Sequence, residues 1–257
     1  MTRLSRTLTL AAMFALCLSM PAWPQGGFDS WARCANVKLP PEKRVTYCTR
    51  VLNAGGVPSG QIAVLVTLGG IYRDLHQYAQ AIQSYSRALE YEALGTSRYD
   101  RSLASPEALL GAYGARAETY AVTGQHDLAM ADTAAIFRLV PDSAAPYAFR
   151  CHIRAAMKTE LDAALADCNE AARRDGRDTQ VLDATGFVQF RLGHLKDAAA
   201  EYDAALARNP RLAGALFMRG IIKLRGGDTS GGNADVAAAK DIEPAIADRL
   251  AEYGVTP

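Results

Sequence analysis

Five cysteines, four histidines and two glycine-serine turns are the places where this 257-residue chain could do chemistry. GDTSGG (227–232) resembles the loop around a serine-protease nucleophile, but an extra Thr spoils the spacing. GVPSG (56–60) does not match a strand–turn–helix nucleophile pattern. His76, His126 and His194 stand among turn residues, where a solvated polar side chain needs no special role. His152 stands alone and makes no acid–base pair. No CxxC pair with a neighbouring His supplies four zinc ligands. There is no phosphate-binding glycine loop, and Asp162 and Asp167 are spaced as ordinary helix-surface charges. Catalysis and metal binding therefore have no constellation to rest on, and the sequence implies no cofactor. The cysteines remain, and their meaning depends on compartment and fold.

Met1–Ala22 reads as a secretory leader. Arg3 and Arg6 give a positive start, and TLTLAAMFALCLS is apolar but short for a bilayer span. Cleavage is expected after Ala22, within a few residues because Met20 is bulky; an uncleaved anchor is the alternative reading. Cys17 follows Leu16, where a lipid-attachment signal wants a small residue. Without the leader four cysteines remain, an even number for an exported chain. Removing Arg3 and Arg6 takes the basic count from 28 to 26 against 27 acidic residues, so the net charge moves from +1 to about −1. A nearly neutral surface argues against nucleic acid and anionic lipid, which need clustered Lys and Arg. No integral membrane span is expected once the leader is gone.

The elements that must position these groups repeat. In TQVLDATGFVQFRLGHLKDAAAEYDAALARNPRL (179–212), Leu182, Gly186 and Gln189 share one helical face, Gly193 interrupts, and Ala198, Tyr202, Ala205 and Leu206 share a second. Asn209-Pro210 stops the unit. Gly220, Gly227, Ala239 and Pro244 recur 34 residues after Gly186, Gly193, Ala205 and Pro210. Gly124, Ala129 and Pro141 precede Gly193, Ala198 and Pro210 by 69, two periods plus one residue inserted at KTELDAA. Tyr72, Ala81 and Ala88 precede Tyr120, Ala129 and Ile136 by 48, one period plus an insertion around 91–105. A helical hairpin this short cannot bury its own apolar face, so copies must stack on it.

The blocks LGGIYRDLHQYAQAIQSYSRAL (68–89) and RLGHLKDAAAEYDAALARNP (191–210), with Arg219-Gly220, make the sequence similar to the tetratricopeptide-repeat family over about 62–244. The resemblance implies an all-α, right-handed α-solenoid of about five stacked hairpins. Repeats fall at 61–91, 110–143, 144–178, 179–212 and 213–244. A polar loop (95–106) separates the first two, and a C-terminal helix in 245–257 covers the last repeat's open face. Thr133 and Asp235–Val236 depart from the usual aromatic region of the second helix, and Gly232 stands where Ala is usual; both weaken their repeats. Cys34 and Cys48 flank the LPPEKR turn of an abbreviated N-terminal hairpin (28–56). Cys151 matches Gly186 and Cys168 matches Tyr202, places that face each other across a repeat. Two disulfides, Cys34–Cys48 and Cys151–Cys168, are expected; reduced thiols in a cytosolic chain are the other reading, against which the leader argues.

The family's architecture implies that the first helix of each pair lines a concave face. In the repeat at 179–212 that face carries Asp183, Phe187, Phe190 and Arg191. One period on it carries Phe217, Ile221, Leu224 and Arg225, and one period back His152 with Phe149 beside it. Apolar side chains there suggest a groove for a peptide or helix; the same residues could instead pack against the next repeat or under the C-terminal helix. Arg73, Asp74 and Glu118 make the earlier half more charged. The Lys/Asn set with which some members hold a partner's C-terminal carboxylate is absent. The expectation is an exported, periplasmic or secreted scaffold that binds a protein or peptide on the concave face. A self-associating envelope protein is the alternative, and an enzyme has no residue set to support it.

Overall fold

A computed structural model describes residues 25–55, 58–95, 106–175 and 178–256. The expected leader (1–22) and most of the expected inter-repeat loop (96–105) lie outside the described residues. Helices α1 (Gln25–Ala35) and α2 (Pro41–Asn53) make an N-terminal hairpin. Five hairpins follow: α3 (Pro58–Asp74) with α4 (Tyr78–Gly95), α5 (Pro106–Val122) with α6 (His126–Leu139), α7 (Ala145–Met157) with α8 (Leu161–Asp175), α9 (Thr179–Arg191) with α10 (Leu195–Arg208), and α11 (Ala213–Arg225) with α12 (Thr229–Ile242). A short helix, α13 (Ile246–Ala251), comes last. The secondary structure of the described residues is all helix, in the expected all-α solenoid.

Each second helix packs between its own first helix and the first helix of the next hairpin. The first helices α3, α5, α7, α9 and α11 touch in succession, whereas the second helices make no comparable contact with one another among the described residues. The stack must therefore curve with the first helices inside.

Every repeat hairpin turns on a residue in the left-handed region, at equivalent positions: His76, Gly124, Lys158, Gly193 and Gly227, with φ between 56° and 88°, and the longer third turn adds Glu160 at 49°. Glycine adopts this conformation freely, whereas an L side chain costs roughly 1–2 kcal/mol there. After the turn, Asp228 in GDTSGG caps α12 by accepting from the Gly231 backbone N–H at 2.9 Å. The motif is a helix start.

Disulfides join α1 to α2 (Cys34–Cys48) and α7 to α8 (Cys151–Cys168). Three hairpins are also locked by a bidentate arginine. Arg116 holds Asp132 at 2.7 and 2.8 Å, Arg150 holds Asp167 at 2.6 and 2.8 Å, and Arg219 holds Asp235 at 2.7 Å through both nitrogens. Lys223, one turn after Arg219, also reaches Asp235 at 2.8 Å. This corrects the reading of Asp235 as a weakening departure: it is the acid of an interhelical lock. Gly232 is likewise no defect. A Cβ there would lie 2.6 Å from Leu224 Cγ and 2.9 Å from the Gly220 carbonyl, so its absence lets α11 and α12 meet.

The packing sets two opposed stability tests. Gly220→Ala should destabilise by about 1–3 kcal/mol, because its Cβ would sit 2.9 Å from the Gly232 backbone oxygen, which cannot swing away. Gly111→Ala, in an exposed helical position with nothing within 4 Å, should stabilise by about 0.5–1 kcal/mol. Urea unfolding of both variants reads the contrast. By the same measurement, replacing Cys151 and Cys168 with Ser should cost about 3 kcal/mol, the closure entropy of a short loop.

Candidate functional site: the inner trough and the C-terminal segment

The inner wall of the curved stack is covered by the chain's own C-terminal segment. Helix α13 packs on α11 and α12, then departs from the expected role of an end cap by continuing across the inner face. Ile246 and Val255 are fully buried, Leu250 and Tyr253 nearly so, and all four join the core cluster built on α9 and α11. The polar contacts reach much further back. Arg73 of α3 donates to Glu118 of α5 at 2.5 Å and to the Tyr253 hydroxyl, with Glu252 3.5 Å away. Glu252 accepts from the Tyr78 hydroxyl at 2.9 Å and lies 3.3 Å from His76 Nδ1. Burial and that bond push the Tyr78 phenol up to about 12. Arg191 donates to the Tyr253 carbonyl, and a Cβ on Gly254 would lie 3.1 Å from Lys158 Nζ. His76 and Lys158 are the two turns that forgo glycine, and both set a side chain against this segment.

A cavity of about 230 Å³ remains between the first helices and the segment, walled by Glu118, His152, Asp183, Phe187, Tyr202 and Arg249 among others. A smaller one of about 120 Å³ adjoins it and shares Glu118, His152 and Asp183. Burial pushes the Glu118 carboxyl up, but Arg73, His152 and Arg249 together outweigh it and hold Glu118 below the usual range. Asp183 goes the other way. Burial raises it, and His152 and Arg249 offset this only in part. Among the described residues Asp183 has neither a hydrogen bond nor a salt-bridge partner. Glu118 Oε1 stands 3.8 Å from His152 Nε2, wider than a hydrogen bond. Among the described residues no three acidic, His or Cys groups converge as metal ligands.

The structure brings some of the expected site residues together and not others. His152, Asp183 and Phe187 meet in the cavity wall, with the His152 and Phe187 rings 5.2 Å apart. Phe149 lines the smaller cavity and fills the space that Gly114 leaves open. Arg191 lies over Phe187 at 4.7 Å while gripping Tyr253. Phe217 and Ile221, expected on an open face, are 0% exposed, and Phe190 is 6% exposed beneath Arg225. Leu224 packs against Gly232 inside its own hairpin. The expected open apolar groove is therefore corrected: the next hairpin and the C-terminal segment cover that stripe. The sequence reading missed Tyr202, Arg249, Glu252 and Tyr253 as site residues. Glu118, His152 and Phe187 stand at one repeat position, a signal present in the spacing.

Inner first helices, outer second helices and one left-handed turn per hairpin define a tetratricopeptide-repeat solenoid. TTC0263, a thermophilic TPR protein of Thermus thermophilus, is similar with a TM-score of 0.53 and 20% identity, over 75% of this chain and 97% of that one. A chain of the APC/C hetero-tetramer Cut9-Hcn1 aligns with a TM-score of 0.52 and 13% identity, over 96% of this chain and 52% of that one. A tetratricopeptide repeat protein from Parabacteroides merdae gives a TM-score of 0.47 at 14% identity, over 90% of this chain and 100% of that one. At these identities the likeness is one of fold. No family model and no curated protein matches the sequence.

The unpaired carboxyl sets the test of this site. A raised pKa means that the folded chain holds the proton more readily than the unfolded one. The cost of Asp183 is therefore absent below its unfolded pKa, sets in as pH rises through the raised value, and is complete at neutral pH. Asp183→Asn should raise Tm by about 2–4 °C at pH 7.5, with the gain vanishing as pH is lowered below about 4. Thermal melts across pH check both the sign and the window.

Proposed function

We propose that the protein is a non-enzymatic interaction scaffold, exported to the periplasm or secreted, whose trough binds a peptide or protein segment. The observation that carries this reading is that the trough already holds a peptide, its own residues 246–256, through side chains of four hairpins. A partner segment of the same chemistry fits the same grip: apolar residues at helical spacing, then an acidic residue and a tyrosine. Such a partner competes with a tethered rival whose effective concentration is on the order of mM, so it must bind well or meet a loosened tail.

Two disulfides support an oxidising compartment, in line with the leader expected from the sequence. No described helix is long and apolar enough to cross a membrane. Self-association through an apolar face gains no support, since the large exposed hydrophobics among the described residues are Val37 and Leu128, on separate hairpins.

Full-length protein carrying Glu252→Ala and Tyr253→Ala keeps its repeats and loosens the tail. Crosslinking in the cell envelope should recover a defined partner several-fold more efficiently with this variant than with wild type. Added peptide of sequence 244–256 should suppress that recovery. Recovery that is equal for both proteins and indifferent to the peptide would sink the trough as the binding surface.

A further inference from the structure

In a solenoid each repeat touches only its neighbours, so the two ends of the stack are independent of one another. The helices of this chain obey that rule. Among the described residues α3 makes extended contact only with α1, α2, α4 and α5, whereas α11 and α12 meet each other, α9, α10 and α13. No helix of the first repeat packs along a helix of the fifth. The two repeats are nevertheless joined, by side chains on either side of the C-terminal segment.

One end of that segment is fixed on the fifth repeat. Only residues 243–245 separate α12 from α13, and Arg249 pins this corner by donating to Glu243 at 2.8 and 2.9 Å. Ile246 is fully buried and Leu250 nearly so, in the core cluster that includes α11. The other end is fixed on the first repeat. Glu252 and Tyr253, which follow α13 directly, meet Arg73 of α3, the turn residue His76 and Tyr78 of α4. Arg73 donates to the Tyr253 hydroxyl, and the Tyr78 hydroxyl donates to Glu252 at 2.9 Å. The side chains of Arg73 and Glu252 are each 6% exposed, so water screens this tie little. An apolar anchor at one end and a shielded polar one at the other leave no slack between the first and fifth repeats.

We propose that residues 246–256 are a clasp that closes the solenoid end to end. The first repeat, and the N-terminal disulfide hairpin packed on it through α1 and α2, then open together with the clasp instead of fraying alone as terminal repeats do. Where a partner takes the segment's place, a step that rests on the reading of the trough given above, the first repeat is released, so occupancy of the trough is felt at the N-terminal end. The clasp itself needs no partner.

Hydrogen exchange of the full chain, read by mass spectrometry, tests the clasp. The variant carries Glu252→Gln and Tyr253→Phe, which keep the size of both side chains and remove the carboxylate and the hydroxyl that hold the first repeat. In an open-ended stack these substitutions reach α3 and α4 only through three intervening hairpins. The clasp instead requires amides of α3 and α4 to exchange about tenfold faster, with the disulfide-bonded α7–α8 hairpin unchanged as internal reference. Coupling is reciprocal, so Tyr78→Phe should speed exchange of residues 246–251 several-fold. Faster exchange confined to 243–256 and the fifth repeat, with α3 and α4 as in wild type, overturns the proposal. Should the double variant fail to fold, unchanged exchange of residues 246–251 in Tyr78→Phe overturns it instead. Both measurements use the protein alone, so their failure is separate from a failure to recover a partner by crosslinking.

Discussion

One crossing point per hairpin sets the geometry of the molecule. At this point the first and second helices come close enough that only a small residue on one side is tolerated, or a covalent bond in its place. Gly69 faces Tyr85, where a Cβ would lie 2.5 Å from the ring, and Gly186 faces Tyr202, where it would lie 2.9 Å away. Gly220 faces Val236 at 2.9 Å by the same measure. Ala117 and Thr133, both buried, hold the equivalent places in the second repeat. In the third, Cys151 and Cys168 hold them and are bonded. Small against large, small against small and a disulfide are three solutions to one spacing. That spacing fixes how far apart successive first helices stand, and so the width of the trough they line.

The outer seam of each hairpin is held differently, and the places where its polar lock is missing are informative. Arg116–Asp132, Arg150–Asp167 and Arg219–Asp235 lock three repeats. In the first repeat the equivalent places hold Leu68 and Ser84, both buried, with the Ser84 hydroxyl turned back to the Gln80 carbonyl. In the fourth, Thr185 and Glu201 stand there. Thr185 turns its hydroxyl back to the Val181 carbonyl, and Glu201 is raised by burial and by Asp197 nearby. This fourth hairpin is also the one that contributes Asp183, Phe187 and Tyr202 to the cavity. Its seam thus does without the arginine–aspartate pair that locks the hairpins on either side.

The repeat period made the hairpins legible in the sequence, because glycine at a left-handed turn and small residues at a helix crossing recur at fixed spacing for local reasons. The equivalence of Cys151 with Gly186 and of Cys168 with Tyr202 came from that same register. Whether the inner stripe is an open groove or lies under the next repeat and the C-terminal helix was a choice the sequence left open. Periodicity says that Phe217 and Ile221 share a side of a helix, but a buried side and a binding side carry the same pattern. The path of the C-terminal segment was hidden for another reason. A helix of six residues does not form alone, and its position depends on partners such as Arg73, about 180 residues away. The Arg–Asp locks were present as a period, but an expectation of aromatic residues at Asp235 obscured the arginine that explains it.

The C-terminal segment is an integral part of the inner wall. Arg73 is 5% exposed and satisfies its charge through Glu118, Glu252 and the Tyr253 hydroxyl. Removing the segment would leave that guanidinium with one acid, and would expose Phe187 together with the apolar surface of α11. The wall thus has a charged first half and an apolar second half, and residues 246–256 match both, with Ile246 and Leu250 on the apolar half and Glu252 and Tyr253 on the charged one. Strain at His76 and Lys158 is consistent with this fit. Glycine would relieve each turn, yet both positions keep a long side chain, and both side chains reach the segment. Two left-handed turns that keep long side chains against residues 246–256 tie the path of that segment to the repeats themselves.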